Sequence, residues 1–286
     1  MLNALSSAVS GLDAYQEQMD IIGNNIANLN TTGFKSATGN LVDSFSDTLQ
    51  AATSVVGTNN PTDPMQVGTG VQTASITNDW SEGAINSTGV TSDLAIAGNG
   101  FFVVQDPVSG AQYLSQDGTF TINTSGNLVD SAGMLLVGAN TAGTPPTGSA
   151  TPITINLTGM PVTSNPNATM SSYTINAQGI ITVNLSDGTS FERAQVLLQN
   201  VTDPQAMTSV GSNLYSNWTS AGALTAPGTP GSGSLGTIQS GALELSNVDL
   251  SAQMADLIVA QRAFEANSKI ITTSDELLQD VVNMKR

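Results

Sequence analysis

The chain contains neither cysteine nor histidine. The first absence excludes disulfide staples, thiolate metal sites and cysteine nucleophiles, and the second removes the base of a Ser-His-Asp triad. Six basic residues stand against 22 acidic ones, for a net charge of −16, and no basic residue lies between Lys35 and Arg193. That stretch carries eleven acidic residues, so it offers no electrostatic footprint for nucleic acid or other phosphate-rich partners. Only 10% of residues are charged, and Ser, Thr, Asn and Gly supply most of the polarity, as in many extracellular surface proteins. No run approaches eighteen apolar residues, which excludes a transmembrane helix. The opening MLNALSSAVSGLDAYQ lacks the basic n-region and continuous apolar core of a secretory signal peptide.

What is present is concentrated at the two ends. Leu250, Leu257, Phe264, Ile271 and Leu278 recur every seven residues, with Met254, Gln261, Ser268, Asp275 and Val282 four positions after each. This is the a/d pattern of a helical seam, and Gln261, Ser268 and Asp275 dilute its second row in the manner of positions that specify register. The N-terminal segment repeats the device with Leu2, Leu5, Val9, Leu12, Gln16, Met19, Ile22, Ile26 and Leu29 in steps of three and four. Two readings follow: a pair of core helices within one globular domain, or ends that pack together and become fully ordered only against neighbouring subunits.

The first helix is expected to stop near Leu29, where Asn30, Thr31, Thr32 and Gly33 form a breaker. Gly33 suits a positive-φ exit, with Asn28 and Asn30 able to satisfy freed backbone groups, so a bulky substitution there is expected to disturb assembly more than the folding of the centre. A second short helix is expected over Asn40 to Ala52, then a loop through Asn59, Asn60, Pro61, Asp63 and Pro64. From Val67 the texture changes to short runs punctuated by Gly, Asn and Asp, such as LAIAG, FFVVQD and YLSQDGTFTIN, which predict antiparallel strands and tight turns. Phe120-Thr121-Ile122-Asn123 with Gly126 is echoed by Tyr173-Thr174-Ile175-Asn176 with Gly179, and both are read as hairpins. The stretches 141–152 and 221–236 are Pro/Gly-rich and read as surface connections. The fold class is therefore mixed α and β: terminal helices pairing as a coiled-coil-like domain around a central, mainly antiparallel β domain.

Catalytic readings fail on context. Gly231, Gly233 and Gly236 satisfy GxGxxG as a string, but Pro227 and Pro230 precede it and no helix pattern follows. Asp117, Asp130 and Asp187 sit in turn-like contexts that favour local backbone bonds over acid-base work. No EF-hand spacing is present. A Ser-Lys arrangement would need Lys35, Lys269 or Lys285, all in or near the helical ends. No catalytic, cofactor or metal residues are assigned, and an enzyme is not expected.

The segment DIIGNNIANLNTTGFK (20–35) resembles the N-terminal signature of the bacterial flagellar axial proteins, the family of rod, hook and hook-associated subunits. Asn24, Asn25, Ala27, Asn28, Thr32, Gly33, Phe34 and Lys35 carry the match. At the other end, Ser246, Asn247, Val248, Asp249, Ala260, Gln261, Arg262, Phe264, Asn267 and Lys269 match the closing signature, SNVD/N followed by an AQR-aromatic helix and N-S/A-K. The resemblance covers most of 1–45, 67–155 and 180–286. Segments 93–102 and 113–133 look like the first strands of the family's D1 domain, while 135–155 and 200–216 are closer to the hook branch.

The resemblance implies a structural subunit with terminal helical D0 (1–30 and 245–286), a connecting segment (31–70), β-rich D1 (71–143 and 173–244) and a short insertion or reduced outer domain (144–172). It implies subunits exported through the flagellar type III apparatus to the cell exterior, polymerising as a helical tube. The expected contacts are with further copies and with distal rod, hook cap and hook-filament junction proteins. The reading is a hook subunit, whose tube would be a flexible universal joint passing torque from rod to filament; a distal-rod subunit is the alternative, because the middle is short, and a secreted β-rich adhesin or a hydrolase would not account for the paired terminal signatures. Assembly surfaces are expected on the helical seams, at Leu5, Val9, Leu12, Met19, Ile22, Ile26, Leu250, Met254, Leu257, Gln261, Phe264, Ile271 and Leu278.

Overall fold

A computed structural model describes residues 2–51, 63–140, 151–157, 168–222 and 226–284. The chain divides into two compact units. One comprises Met1–Ala27, Ser36–Asp79 and Val248–Arg286, and the other Asn28–Lys35 and Trp80–Asn247.

In the first unit, helix α1 (Leu2–Ala27) packs against helix α2 (Leu250–Met284). The covered face of α1 is made of small residues as much as large ones: Ala8, Gly11, Ala14, Ile22 and Asn25 are buried, whereas Val9 is exposed and Leu5, Leu12, Met19 and Ile26 are half-buried. A Cβ on Gly11 would lie 2.6 Å from Asn267 Nδ2, so the two helices approach closely at that point. On α2, Leu257, Phe264 and Ile271 are half-buried, as the seven-residue row predicts, but the second row differs from expectation. It is Gln253, Ala260, Asn267 and Ser274 that are covered, one position before Met254, Gln261, Ser268 and Asp275, which are exposed. At the point of closest approach Gly11, which has no Cβ, leaves room for the Asn267 side chain.

The segment between the helices and the β unit also departs from expectation. Residues 40–52 were expected to hold a helix, but Ala37–Asp43 and Ser46–Gln50 are strands, pairing antiparallel with Val71–Asn78 and Met65–Gly68 respectively. Cross-strand partners 15 to 41 positions away supply the ladder that local helix propensity would have competed with. Thus 36–79 belongs with the helices, and the expected connecting segment 31–70 is divided between the two units. The expected loop lies largely outside the described residues; Asp63 and Pro64 are irregular.

The second unit is built on an antiparallel sheet whose strands run in the order Met170–Ile175, Ile180–Leu185, Ser190–Val196, Leu135–Ala139, Phe101–Gln105, Gln112–Ser115, Leu214–Ser216, Thr208–Gly211. Phe101–Val104 is buried at every position because both faces of the sheet are covered. Phe102 and Val104 enter a core with Phe120, Leu128, Leu136, Ile153, Ile181 and Leu198, while Phe101 and Val103 enter a second with Leu114, Val201 and Tyr215. In the latter, Trp80 meets Phe101 and Tyr215 edge-on at centroid distances of 5.4 and 5.1 Å.

The echoed sequences form the same turn twice. Asn123 Oδ1 accepts from the backbone N–H of Ser125 and Asn127, both at 2.9 Å, and Asn176 Oδ1 accepts from Gln178 and Ile180 at 3.0 and 2.9 Å. Gly126 and Gly179 take positive φ at 82° and 75°. The 144–172 insertion is only partly separate: Thr151–Pro152 pairs with Val137–Gly138, and Ile153, Ile155 and Ala168 are core residues. Residues 141–150 and 158–167 lie outside the described residues.

Candidate functional site

Within the helical unit, Asn25 links three elements. It is 1% exposed, and its Nδ2 donates to the Ala37 carbonyl at 2.8 Å and to Gln253 Oε1 at 2.9 Å, while its Oδ1 accepts from the Ala37 N–H at 2.9 Å. A buried amide with these partners joins the last turn of α1, the first strand and the start of α2. Asp249 begins α2 as its N-cap, accepting from the N–H of Ser251 at 2.8 Å and of Ala252 at 3.3 Å.

Within the β unit, the rest of the signature holds the two chain passages together. Gly33 has φ +66°, is buried, and donates its N–H to the Glu244 carbonyl at 2.9 Å. A Cβ there would meet the backbone of Gln116 at 2.7 Å, so the position requires glycine on conformational and steric grounds alike. Thr32 Oγ1 donates to Asp117 at 2.9 Å, and Asn213 Nδ2 donates to the Thr32 carbonyl at 2.7 Å. Lys35, 4% exposed, forms a 2.7 Å ion pair with buried Glu244 and donates to the Ser81 carbonyl at 2.7 Å. The second Glu244 bond comes from the Gly83 N–H at 2.8 Å. Asn247 donates its N–H to the Phe34 carbonyl at 3.4 Å and its side-chain amide to Ser81. A buried pair with this many bonds specifies which two chain segments meet, and loss of either partner would strand a charge.

Other signature positions are on the outside. Arg262 pairs with Glu265 at 2.8 Å in the open, Gln261 and Lys269 are exposed, and Asn24 and Ala27 face outward, while Asn28 accepts from the Thr31 hydroxyl at 3.1 Å. Val248 is buried and Asn267 half-buried. Sequence reasoning missed Glu244, Asn213 and the bond from Thr32 to Asp117, because partners 85 to 209 positions away leave no spacing signal. Asp117, Asp130 and Asp187 each accept from the N–H two residues on, the local role expected of them. The GxGxxG string forms a turn closed by the Gly231 N–H to the Gly236 carbonyl and leads into the strand Thr237–Ser240.

The helices also present large apolar side chains to solvent. Ile258 and Val259 are 58% and 66% exposed, and Leu250, Met254, Ile270, Leu277, Leu278, Val281 and Val282 continue the uncovered surface along α2. No helix among the described residues is long and apolar enough to cross a membrane.

Comparison with known proteins bears on all of these features. Residues 5–35 match the pattern described as flagella basal body rod protein, 95–183 the flagellar hook protein FlgE/F/G D1 domain, and 239–284 the flagellar basal body rod FlgEFG protein C-terminal region. The flagellar basal-body rod protein FlgG of Bacillus subtilis (strain 168) is 35% identical over 286 residues, covering 100% of both chains. The chain belongs to the flagellar rod/hook axial protein family. FlgG of Borreliella burgdorferi is 33% identical over 290 residues, again covering 100% of both chains. The flagellar hook protein FlgE of Escherichia coli (strain K12) is 26% identical over 420 aligned positions, covering 99% of this chain and 100% of that one. Axial proteins of this family are structural components of the bacterial flagellum, and the two signature segments coincide with the terminal matches.

Proposed function

We propose that this chain is a distal-rod subunit of the flagellar basal body, polymerising with copies of itself into the straight, stiff tube below the hook. The observation that carries the reading is length-matched similarity. Alignment to the rod proteins needs almost no inserted sequence, whereas alignment to the hook proteins extends to 420 positions against a chain of 286. The hook expectation rested on segments 135–155 and 200–216, and it gives way to the rod reading because similarity to the rod proteins is higher and matched in length.

The uncovered apolar faces of α1 and α2 are then the surfaces that neighbouring copies bury, repeating one heterologous contact without closure. The seam residues Leu257, Phe264 and Ile271 pack within a copy, and the outward row of Leu250, Met254, Gln261 and Leu278 packs between copies. Rod neighbours and the flagellar type III export apparatus are the partners this role requires. Electron microscopy of polymer assembled from the purified chain tests the assignment: straight tubes are expected, and supercoiled or curved tubes would return the chain to the hook branch.

A further inference from the structure

The β unit holds a cation that no described residue neutralises. Arg193 is 6% exposed, and its hydrogen bonds run from Nε to Asn156 Oδ1 at 3.0 Å and from Nη1 to the Asn140 carbonyl at 3.4 Å. Both acceptors are neutral. Among the described residues the ion pairs are Lys35–Glu244 and Arg262–Glu265, so no described carboxylate lies within 4.0 Å of Arg193. The remaining residues of the chain contain no Asp or Glu, and the sequence has no acidic residue at all between Asp130 and Asp187. A guanidinium stays charged under any physiological condition, and a buried one without a counter-charge is costly, a cost that burial registers by pulling the Arg193 pKa below its ordinary value.

The strand is bent to place this residue. Ile181 pairs with Ala194 and Thr182 with Glu192, which leaves Arg193 as the extra residue of a β-bulge. Core residues fall at Phe191 before the bulge and at Ala194 and Val196 after it, so the insertion shifts the alternation and takes Arg193 out of the core register. Pairing on the strand's other side ends at Gln195 with Ala139, so the Arg193 position lies beyond the last paired residue of the neighbouring strand, beside Asn140. Bulges of this kind re-aim a side chain, and here the re-aimed side chain is the single basic residue of the chain between Lys35 and Arg262.

We infer that Arg193 is the receptor for a carboxylate side chain of a second copy of this chain, an ionic contact between β units in the assembled polymer. The occupant follows from charge. Each copy carries 22 acidic and six basic residues, so copies repel at long range, and carboxylates are the groups a neighbour has most to offer. Lys35 is already paired and buried, which leaves Arg193 as the uncompensated cation of the β unit. Its planar fork, with Nη2 making no hydrogen bond among the described residues, suits a bidentate carboxylate.

This inference rests on self-assembly of the chain, and the test separates the two. The full-length wild type, Arg193→Gln and Arg193→Lys are compared for monomer melting and for the critical concentration of assembly measured by sedimentation. Expected are a monomer melting temperature that is unchanged or raised, since Arg193→Gln removes a costly buried charge, a critical concentration raised about tenfold or more in Arg193→Gln, and an intermediate critical concentration in Arg193→Lys. Raising NaCl from about 50 to about 500 mM screens the general repulsion between copies in both proteins alike and should narrow the advantage of wild type over Arg193→Gln. Polymer of Arg193→Gln forming at the wild-type concentration overturns the contact. A melting temperature that falls in Arg193→Gln, with assembly restored once the variant is cooled into its folded range, makes Arg193 an internal strut and also overturns it. Stabilisation of the wild-type monomer by sodium sulfate over matched chloride that is absent from Arg193→Gln, with equal critical concentrations for the two proteins, would identify an inorganic-anion site instead and overturn the contact. A wild type that forms no polymer would overturn the assembly reading itself, and this inference with it.

Discussion

Replacing Gly33 by alanine separates two costs that a glycine can conceal. At φ +66° an L residue sits in the left-handed region, which costs about 1–2 kcal/mol for a side chain beyond glycine. The added Cβ would also stand 2.7 Å from Gln116 C and O and 2.9 Å from Asp117 N. These are backbone atoms that cannot rotate aside, so crowding adds about 1–3 kcal/mol. The total, about 2–5 kcal/mol, corresponds to a fall of roughly 5–15 °C in Tm for a unit of this size. Gly188 provides the control: it has φ +83° and no atom within 4 Å of a built Cβ, so Gly188→Ala should show the conformational cost alone. Trp80 and Trp218, the protein's two tryptophans, both lie in the β unit, and thermal unfolding followed by their fluorescence reads that unit selectively. Gly33→Val should be worse than alanine, because a β-branched residue is least tolerant of positive φ. The sequence pattern alone suggested a helix exit whose substitution would spare the melting of the centre; burial against Gln116 reverses that expectation. Equal melting of Gly33→Ala and Gly188→Ala would refute the crowding argument, and a Gly33→Ala protein melting within a degree of wild type would refute both parts.

Lys35→Met leaves Glu244 buried without its cation and should cost about 3–5 kcal/mol in urea unfolding, most of it recovered by adding Glu244→Leu. Asp130 is 5% exposed, one carboxylate oxygen has no partner, and burial raises its pKa above the ordinary 3.8, with Asp117 adding to the rise. The folded state therefore binds this proton more tightly than the unfolded state, so its stability falls as pH climbs from 3.8 through the raised value. Asp130→Asn, which keeps the acceptor for the Ala132 N–H, should stabilise the β unit at pH 7 and lose that advantage in acid; an equal effect at both pH values would contradict the charge argument. Leu257→Asp, on the half-buried row of α2, should leave the tryptophan-monitored transition in place while making the helices more protease-sensitive and preventing polymer. Tubes formed normally by that variant would show that the row is dispensable.

Sequence by itself determined the mixed α and β class, the helical termini, the hairpins at Asn123 and Asn176, and membership of the axial family. These rest on local rules: a repeat of seven, an Asn-x-x-Gly turn that closes on its own backbone, and contiguous signatures at both ends. Tertiary structure decided what depends on distant partners. Residues 37–50 became strands because Val71–Asn78 and Met65–Gly68 lie alongside them. The inner row of α2 fell on Gln253, Ala260, Asn267 and Ser274 because α1 offers Asn25 as a partner for Gln253 and, at Gly11, room for Asn267. The signature Lys35 acquired its meaning from Glu244, 209 positions away, and Gly33 from the Gln116 backbone. Heptad spacing states that a helix has a face, but which of two adjacent rows is covered depends on what packs against it, and that information lies in the other helix.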